Sequence, residues 1–403
     1  MEQINIGLVG FGTVGQALYE VVSSARNAHA AVKRICVRSL DKPRKVQVPS
    51  ELLTTDAADI VNDPDISLVV EVIDDPEAAY RITCDALRAG KDVVSGNKAM
   101  IARHLPELIE LQQATGRALL YDASSCGSIP VIRNLEEYYD NDLLLEVKGI
   151  LNGSSNYILS RVFDHGEEYA DALVRAQKLG FAESDPTHDI SGNDSLNKLV
   201  IITLHAIGVY VPPKDIFVYG IPTLRAEDIR YAREKGMKIK LVAQVVKLSD
   251  AKFTMFVMPE FVAPNRYIYA VDDEYNGVVI RGECYDRQFM FGKGAGGRPT
   301  ASSLLSDITA LRHNYRYEYK KSGFSPRPEY TADVTLKIYA RYEHTDLRAG
   351  LPWIAVNEEY RCDDYRYVIG EIRLSDLIAA APLLRADDIF LCNFPRFFAD
   401  RDD

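Results

Sequence analysis

Residues 4–15 read INIGLVGFGTVG, and this stretch decides the fold. INIGLV is an apolar run of strand length, GFGTVG follows at once, residues 14–22 read as a helix, and AVKRICV at 31–37 reads as a second strand. A G-x-G-x-x-G string alone recurs in many turns. Between a strand and a helix, in a unit of roughly 30 residues, it has the context that dinucleotide binding requires. There Gly10 allows the tight turn, Gly12 lets the backbone approach a pyrophosphate, and Gly15 lets helix and strand pack closely. The helix start directs N–H groups at the phosphates. Phe11, Thr13 and Val14 complete the expected cofactor turn.

The end of the second strand indicates which dinucleotide to expect. An NAD-selective site usually carries Asp or Glu there, for the ribose 2′-hydroxyl. This chain has Arg38, then Ser39, Lys42, Arg44 and Lys45. Such cations suit a 2′-phosphate, so NADP is expected ahead of NAD, although Asp41 and a solvated lysine-rich loop offer a plainer alternative. Strand and helix signals then alternate: a buried strand at 65–73 (DISLVVEVI), an amphipathic helix at 76–89, and a strand at 92–95 ending in Gly96-Asn97-Lys98. That order implies a parallel sheet with crossover helices on both faces and ligands at the carboxyl ends of the strands, where Lys98 falls. A helix at 105–115, a strand at 118–121, the small-residue stretch DASSCGSIP at 122–130 and a strand at 145–151 come next. The last of these turns through Gly153, Ser154 and Ser155. So compact a polar loop could present backbone carbonyls to a monovalent cation, or simply let two domains approach closely.

Composition excludes several classes. The 403 residues are 47% hydrophobic and 26% charged, which suits two or three globular domains. A net charge of −11 argues against a polyanion partner such as nucleic acid. The six cysteines lack C-x-x-C spacing, so neither a disulfide framework nor a zinc site is expected. With no export signal and no apolar run of membrane length, the expected setting is the cytoplasm, with no membrane partner.

The densest chemistry lies at 180–198, GFAESDPTHDISGNDSLNK, which runs directly into the apolar segment LVIITLHAIGVYV at 199–211. Asp194 and Lys198 stand four apart and share one face of a helix, and Ser191 with Asp194 fits a capping box that would start it. An exposed pair of this kind contributes only ~0.3–0.5 kcal/mol. The helix that follows is apolar on nearly all sides and therefore buried, so its polar start is expected to open into a cleft, the substrate pocket of a nicotinamide-dependent dehydrogenase.

GFGTVG, NKA at 97–99, GILNGSSNYIL from Gly149, the 180–198 stretch, and GKGAGGRPTAS from Gly292 occur in an order and spacing that resembles the homoserine dehydrogenase family over about residues 4–312. The resemblance implies NAD(P)-dependent interconversion of L-homoserine and L-aspartate 4-semialdehyde, on the way to threonine, methionine and isoleucine. It implies an α/β fold: an N-terminal Rossmann nucleotide-binding domain at 1–130, an α+β catalytic and dimerisation domain with a mixed sheet at 131–294, and a return to the first domain at about 295–318. It also implies a homodimer or higher homo-oligomer. Homoserine contacts carry over to Glu183, Asp194 and Lys198, with Ser154 through its hydroxyl and Asp189 nearby. Gly180 and Glu183 would border the nicotinamide, and Gly296 the cofactor. Lys198 is expected to protonate the alkoxide formed when hydride reaches the aldehyde carbon, and Lys98 to share that work. Asp185, in Asp-Pro-Thr, reads as turn chemistry, and His188 and His205 as structural.

Some residues depart from the family pattern. The loop at 122–130 begins with Asp122 in place of Glu and has a Ser-Ser-Cys-Gly-Ser core; the resemblance implies a sodium-type cation on backbone groups of Asp122, Ser125, Gly127 and Ile129. Asp74-Asp75 replaces a pair of glycines. Cys126 motivates a rival, a semialdehyde dehydrogenase with a cysteine thiolate, and a non-catalytic NADPH-binding sensor is a third reading. Residues 328–403 read as a small α+β module, for which the resemblance implies a degenerate ACT-like domain. The D-x-P-G-V-type loop of that domain is missing, so feedback by threonine is expected to be weak or absent.

Overall fold

The computed structural model describes residues 3–25, 29–182 and 185–395. The chain divides into two compact units. Residues 1–140, 200–212 and 292–323 form the first, and residues 141–199, 213–291 and 324–403 form the second.

In the first unit the central strands are short and largely apolar, as suits a parallel sheet covered on both faces, while β2, nearer the edge, carries Lys33 and Arg34. The chain runs β1 (Ile4–Val9), α1 (Thr13–Ser24), β2 (Ala30–Cys36), β3 (Leu53–Thr54), α2 (Ala58–Val61), β4 (Leu68–Glu71), α3 (Pro76–Arg88), β5 (Asp92–Ser95), α4 (Lys98–Thr115), β6 (Leu119–Leu120), α5 (Ala123–Cys126) and α6 (Val131–Glu137). All strand pairs are parallel, in the order β3-β2-β1-β4-β5-β6 expected of a dinucleotide-binding sheet. The turn after β1, Arg38 after β2, Asp74-Asp75 after β4, Gly96-Asn97-Lys98 after β5 and Asp122 after β6 therefore lie at one end of the sheet, the carboxyl end. Asp75 caps α3, its carboxylate accepting from the N–H groups of Glu77 and Ala78 at 3.0 and 3.1 Å, with Pro76 in the first helical position. The helix expected at 105–115 begins seven residues earlier, at Lys98. Pro106 suggests a start, but the helix absorbs it by a kink at His104, where φ is −116° and ψ 16°.

The second unit is built on a mixed sheet. Its first strand β7 (Leu144–Ile150) leads into α7 (Gly153–His165), α8 (Tyr169–Leu179), α9 (Thr187–Ile190) and α10 (Asn193–Ile207), the last of which carries the chain back into the first unit after Leu199. Gly153, Ser154 and Ser155, expected as a turn, are the first residues of α7, because Asn152 caps it by accepting from Ser155 N–H at 2.8 Å. Then come β8 (Phe217–Val218), α11 (Ala226–Glu234), the long antiparallel hairpin β9 (Lys238–Ser249) and β10 (Lys252–Val262), β11 (Tyr275–Gly282) and β12 (Asp286–Lys293). In the first unit α12 (Gly297–Leu311) lies against α1, where a Cβ on Gly297 would come 3.0 Å from the carbonyl of Thr13.

The remaining elements are β13 (Glu329–Tyr330), β14 (Thr335–Tyr342), α13 (Leu347–Gly350), β15 (Ala355–Arg361), β16 (Arg366–Arg373), α14 (Leu374–Ala379) and β17 (Phe390–Phe394). The sheet order β12-β11-β7-β9-β10-β17-β14-β16-β15, with β8 and β13 also on β10, makes eleven strands. Residues 328–403, read from the sequence as a separate small module, thus share this sheet. They also share its core: Leu336, Ile338, Val368 and Leu391 pack in one cluster with Phe217, Phe256 and Met258. Sequence reasoning separates them because β17 reaches β10 across more than a hundred residues, a pairing no local pattern announces. Among the described residues no helix is long and apolar enough to cross a membrane.

Candidate active site

Four polar residues from the sequence reading meet in the second unit. Helix α10 places Asp194 and Lys198 one turn apart, and their charged groups are 2.7 Å from each other with side chains only 6% and 8% exposed. The pair is therefore buried, not a solvated helix contact. Lys198 Nζ also donates to the carbonyl of Leu151 at 2.6 Å. Helix α10 begins at Asn193, so Asp194 is its second residue, one position early for a capping box with Ser191. Asn152 ties the centre together: its amide donates to Asp189 Oδ1 at 2.8 Å and to Asp194 Oδ2 at 2.9 Å, while its carbonyl oxygen caps α7. Ser154 donates to the carbonyl of Phe181 at 2.5 Å. Burial, then the neighbouring Asp194 carboxylate, raises the Asp189 carboxyl above its usual range. The sequence reading does not single out Asn152. An Asn between a strand and Gly-Ser-Ser is a cap signal, but nothing local reveals that the same amide holds two carboxylates from later in the chain.

Other expected residues have different surroundings. Gly180 ends α8 in a left-handed conformation. Asp185 is exposed and accepts from the N–H and hydroxyl of Thr187 at 3.1 and 2.5 Å, a local turn. Glu183 lies outside the described residues. His205 is buried in the first unit, bonded to Tyr121 Oη at 2.9 Å and to Glu136 at 2.5 Å.

The nucleotide turn of the first unit fits a pyrophosphate. Gly10 has φ of +102°, and a Cβ there would meet the carbonyl of Val72 at 2.7 Å. A Cβ on Gly15 would lie 2.1 Å from the carbonyl of Gly10, whereas one on Gly12 would meet nothing within 4 Å. Helix and turn thus touch where they must, and open space remains where the ligand's phosphates would approach. Gly12 stands at the N-cap of α1 with no side-chain cap, which keeps that helix end for an anion. Phe11 is buried, edge-on to Tyr19 at 6.0 Å between ring centroids, and Thr13 and Val14 open the helix. Gly296 caps α12 beside this turn. Arg38 is exposed at the end of β2. The loop after it is fixed by Arg44, which donates to the carbonyls of Leu40 and Lys42 at 3.0 and 3.1 Å, and by Gln16, whose oxygen accepts from Lys45 and Val46 N–H at 2.9 and 3.0 Å. Lys98 is the first residue of α4, next to its cap Asn97.

In the loop at 122–130, the Asp122 carboxylate accepts from the N–H groups of Ile132 and Arg133 at 2.8 and 3.3 Å. The carbonyls of Asp122 and Ile129 each take one N–H, from Ser125 and Val131. Cys126 is wholly buried in α5. A thiol so enclosed by protein is not an attacking thiolate, so the cysteine-dependent rival has no nucleophile to offer.

Comparison with known proteins agrees with both halves. A family model described as homoserine dehydrogenase matches residues 130–309, and one described as homoserine dehydrogenase, NAD binding domain, matches 10–122. The chain is 33% identical over 360 residues to the homoserine dehydrogenase of Bacillus subtilis, covering 85% of this chain and 83% of that one. The crystal structure of a homoserine dehydrogenase from Thiobacillus denitrificans is similar with a TM-score of 0.82 and 29% identity over 99% of both chains. A hyperthermophilic archaeal homoserine dehydrogenase in complex with NADPH gives a TM-score of 0.66 at 26% identity over 78% of this chain and 99% of that one. With a nucleotide turn of fitted glycines in one unit and a buried lysine–carboxylate centre in the other, this chain belongs to the homoserine dehydrogenase family, oxidoreductases that interconvert L-homoserine and L-aspartate 4-semialdehyde with a nicotinamide cofactor.

Proposed function

We propose that Lys198 is the proton donor and acceptor of this reaction, and that Asp194 and Asp189 receive the ammonium group of the amino-acid substrate. The observation that carries the reading is the buried Lys198 ammonium fixed between Asp194 and the Leu151 carbonyl. An ammonium has three donors, and these two partners leave one direction for a substrate oxygen. When bound, the nicotinamide supplies hydride in the reducing direction and takes it in the other. In the reducing direction Lys198 stabilises the alkoxide oxygen and then protonates it; in the oxidising direction it takes the hydroxyl proton. Asp194 keeps the lysine aimed. The carboxylates of Asp189 and Asp194, held by Asn152, retain lone pairs for the substrate ammonium. Glu183 is proposed to join them, and Ser154 to contact the substrate through its hydroxyl.

In the nucleotide unit we assign Lys98, at the carboxyl end of β5, as a second proton-positioning group. Arg38 is proposed as the partner of a 2′-phosphate, making NADP the preferred cofactor and NAD a weaker one. A monovalent cation such as sodium on the carbonyls of Asp122, Ser125, Gly127 and Ile129, a homodimer and a cytoplasmic setting complete the proposal. The test is an initial-rate assay of homoserine oxidation with NADP and NAD in parallel. Lys198→Ala is expected to lower kcat by about 10²–10⁴-fold, the usual weight of a general acid–base group, with the cofactor dissociation constant unchanged. Arg38→Ala is expected to raise KM for NADP about tenfold and to leave KM for NAD alone, since only the former carries the phosphate. An unchanged rate in Lys198→Ala would refute the assignment of that lysine even though the family stands.

A further inference from the structure

A buried carboxylate of the first unit has no place in the reading above. Glu71, the last residue of β4, is 0% exposed and pairs in register with Val9 of β1 on one side and Ser95 of β5 on the other. Burying a carboxyl side chain completely is costly unless its oxygens are satisfied. Here both are. Oε2 accepts the hydroxyl of Ser95 at 2.6 Å, and Oε1 accepts the N–H of Ile73 at 2.8 Å.

Each of these partners reaches the same third residue. Ser95 Oγ accepts the backbone N–H of Asn97 at 3.1 Å, and the carbonyl of Ile73 accepts the side-chain amide of Asn97 at 2.9 Å. The two arms from Glu71 close into a ring on Asn97, one holding its backbone and the other its side chain. Asn97 in turn caps α4 by accepting from Met100 N–H at 3.0 Å, and the first residue of that helix is Lys98.

We propose that Glu71 is a positioning residue for the reaction: through Ser95 and Ile73 it fixes Asn97 from both sides and so sets the place and direction of Lys98. The proposal rests on Lys98 being a proton-positioning group. A carboxyl at the end of a buried strand is not needed to hold the sheet, whose ladder bonds are made by backbone, and an aliphatic side chain would fill the space without desolvation cost. What the carboxyl adds is a fixed double hold on one turn. Burial pushes the carboxyl up to about 7 against the hydrogen bonds from Ser95, Ile73 and Asn97, and the charge of Asp74 on the following loop adds least; the facing residue on β1 is apolar, and Ser95 and Asn97 are uncharged. A neutral carboxyl or an amide keeps both contacts, its oxygen accepting from Ile73 N–H and its O–H or N–H donating to Ser95 Oγ, so the role is one of geometry and not of charge.

The test is a double-mutant cycle read in kcat, KM and NADPH binding by fluorescence. Glu71→Ala is expected to lower kcat on the order of 10–100-fold, the scale of a misplaced catalytic group, with KM for homoserine and the NADPH dissociation constant within about threefold of wild type. Glu71→Gln should recover most of the loss. Lys98→Ala combined with Glu71→Ala should be no slower than Lys98→Ala alone, because residues acting through one another are not additive. Losses that multiply, with Lys98→Ala itself impaired, would overturn the role of Glu71 and leave that of Lys98 intact. A silent Lys98→Ala would remove the reading on which the proposal stands, and the proposal with it. If Glu71→Ala does not fold, Ser95→Ala, which cuts one arm, takes its place in the cycle with the same expected outcomes.

Discussion

At the scale of the residue, the proposed active centre is tied together by one amide. Asn152 places a donor on each of Asp189 and Asp194 and a third contact on the cap of α7. Its truncation leaves two neighbouring carboxylates without that donor, so Asn152→Ala is expected to raise KM for homoserine about tenfold. It should also cost about 1–3 kcal/mol of stability, the penalty for a buried unsatisfied group, measurable by urea denaturation. Glu71 makes a separate, pH-dependent prediction. Its carboxyl is raised by burial from 4.5 to about 7, so its protonated form is favoured in the folded state. The stability it contributes is fully present below about pH 4.5 and is lost as pH rises through 7. On the order of 3 kcal/mol is at stake, one pKa unit being about 1.4 kcal/mol. Glu71→Gln, which cannot ionise, should gain stability relative to wild type between pH 5 and 8; equal pH dependence of the two proteins would show that Glu71 does not titrate there.

At the scale of the element, the glycines of the nucleotide turn separate folding from binding. A Cβ at residue 15 would sit 2.1 Å from the Gly10 carbonyl, so Gly15→Ala must push α1 off β1; at residue 12 it would meet nothing within 4 Å. Gly12→Ala is expected to unfold within a few degrees of wild type yet raise the NADPH dissociation constant tenfold or more, whereas Gly15→Ala loses stability as well. Calorimetry with and without NADPH distinguishes them. This turn was legible because its signals are local: a strand, three glycines at fixed spacing, a helix. The helical pair Asp194–Lys198 was legible for the same reason. The first turn of α4 was hidden by Pro106, whose usual effect is to end a helix, and the first turn of α7 by Gly153 and the two serines, which suit loops until Asn152 is seen as their cap. The convergence of Asn152 on Asp189 and Asp194, and of Glu71 on Asn97, depends on contacts 37, 42 and 24 residues apart along the chain, and no periodicity encodes those.

At the scale of the whole molecule, the question is how much of the chain the second unit needs. Strands β14, β16 and β17 extend its sheet beyond β10, and their apolar faces make one core with Phe217, Phe256 and Met258. A buried ion pair crosses the same region: Arg341, on β14, donates to Asp228, on α11, at 2.9 Å with both side chains 0% exposed. Tyr339 donates to the same carboxylate at 3.1 Å. Removing one partner leaves a desolvated charge, so Asp228→Ala is expected to cost about 3–5 kcal/mol. A chain ending at residue 323 would do more, since it uncovers β8 and β10, whose residues Phe217, Phe256 and Met258 are now buried by later strands, and strands with an exposed apolar face associate. Truncation after 323 should therefore give aggregated, inactive protein, with no folded second unit detectable by near-UV circular dichroism. A dispensable regulatory module would behave in the opposite way, leaving a soluble and active dehydrogenase. Millimolar threonine added to the full chain tests the same point from the other side: strands committed to the core of the second unit predict turnover unchanged, and inhibition lost on substitution beyond residue 328 would assign them a regulatory role in addition.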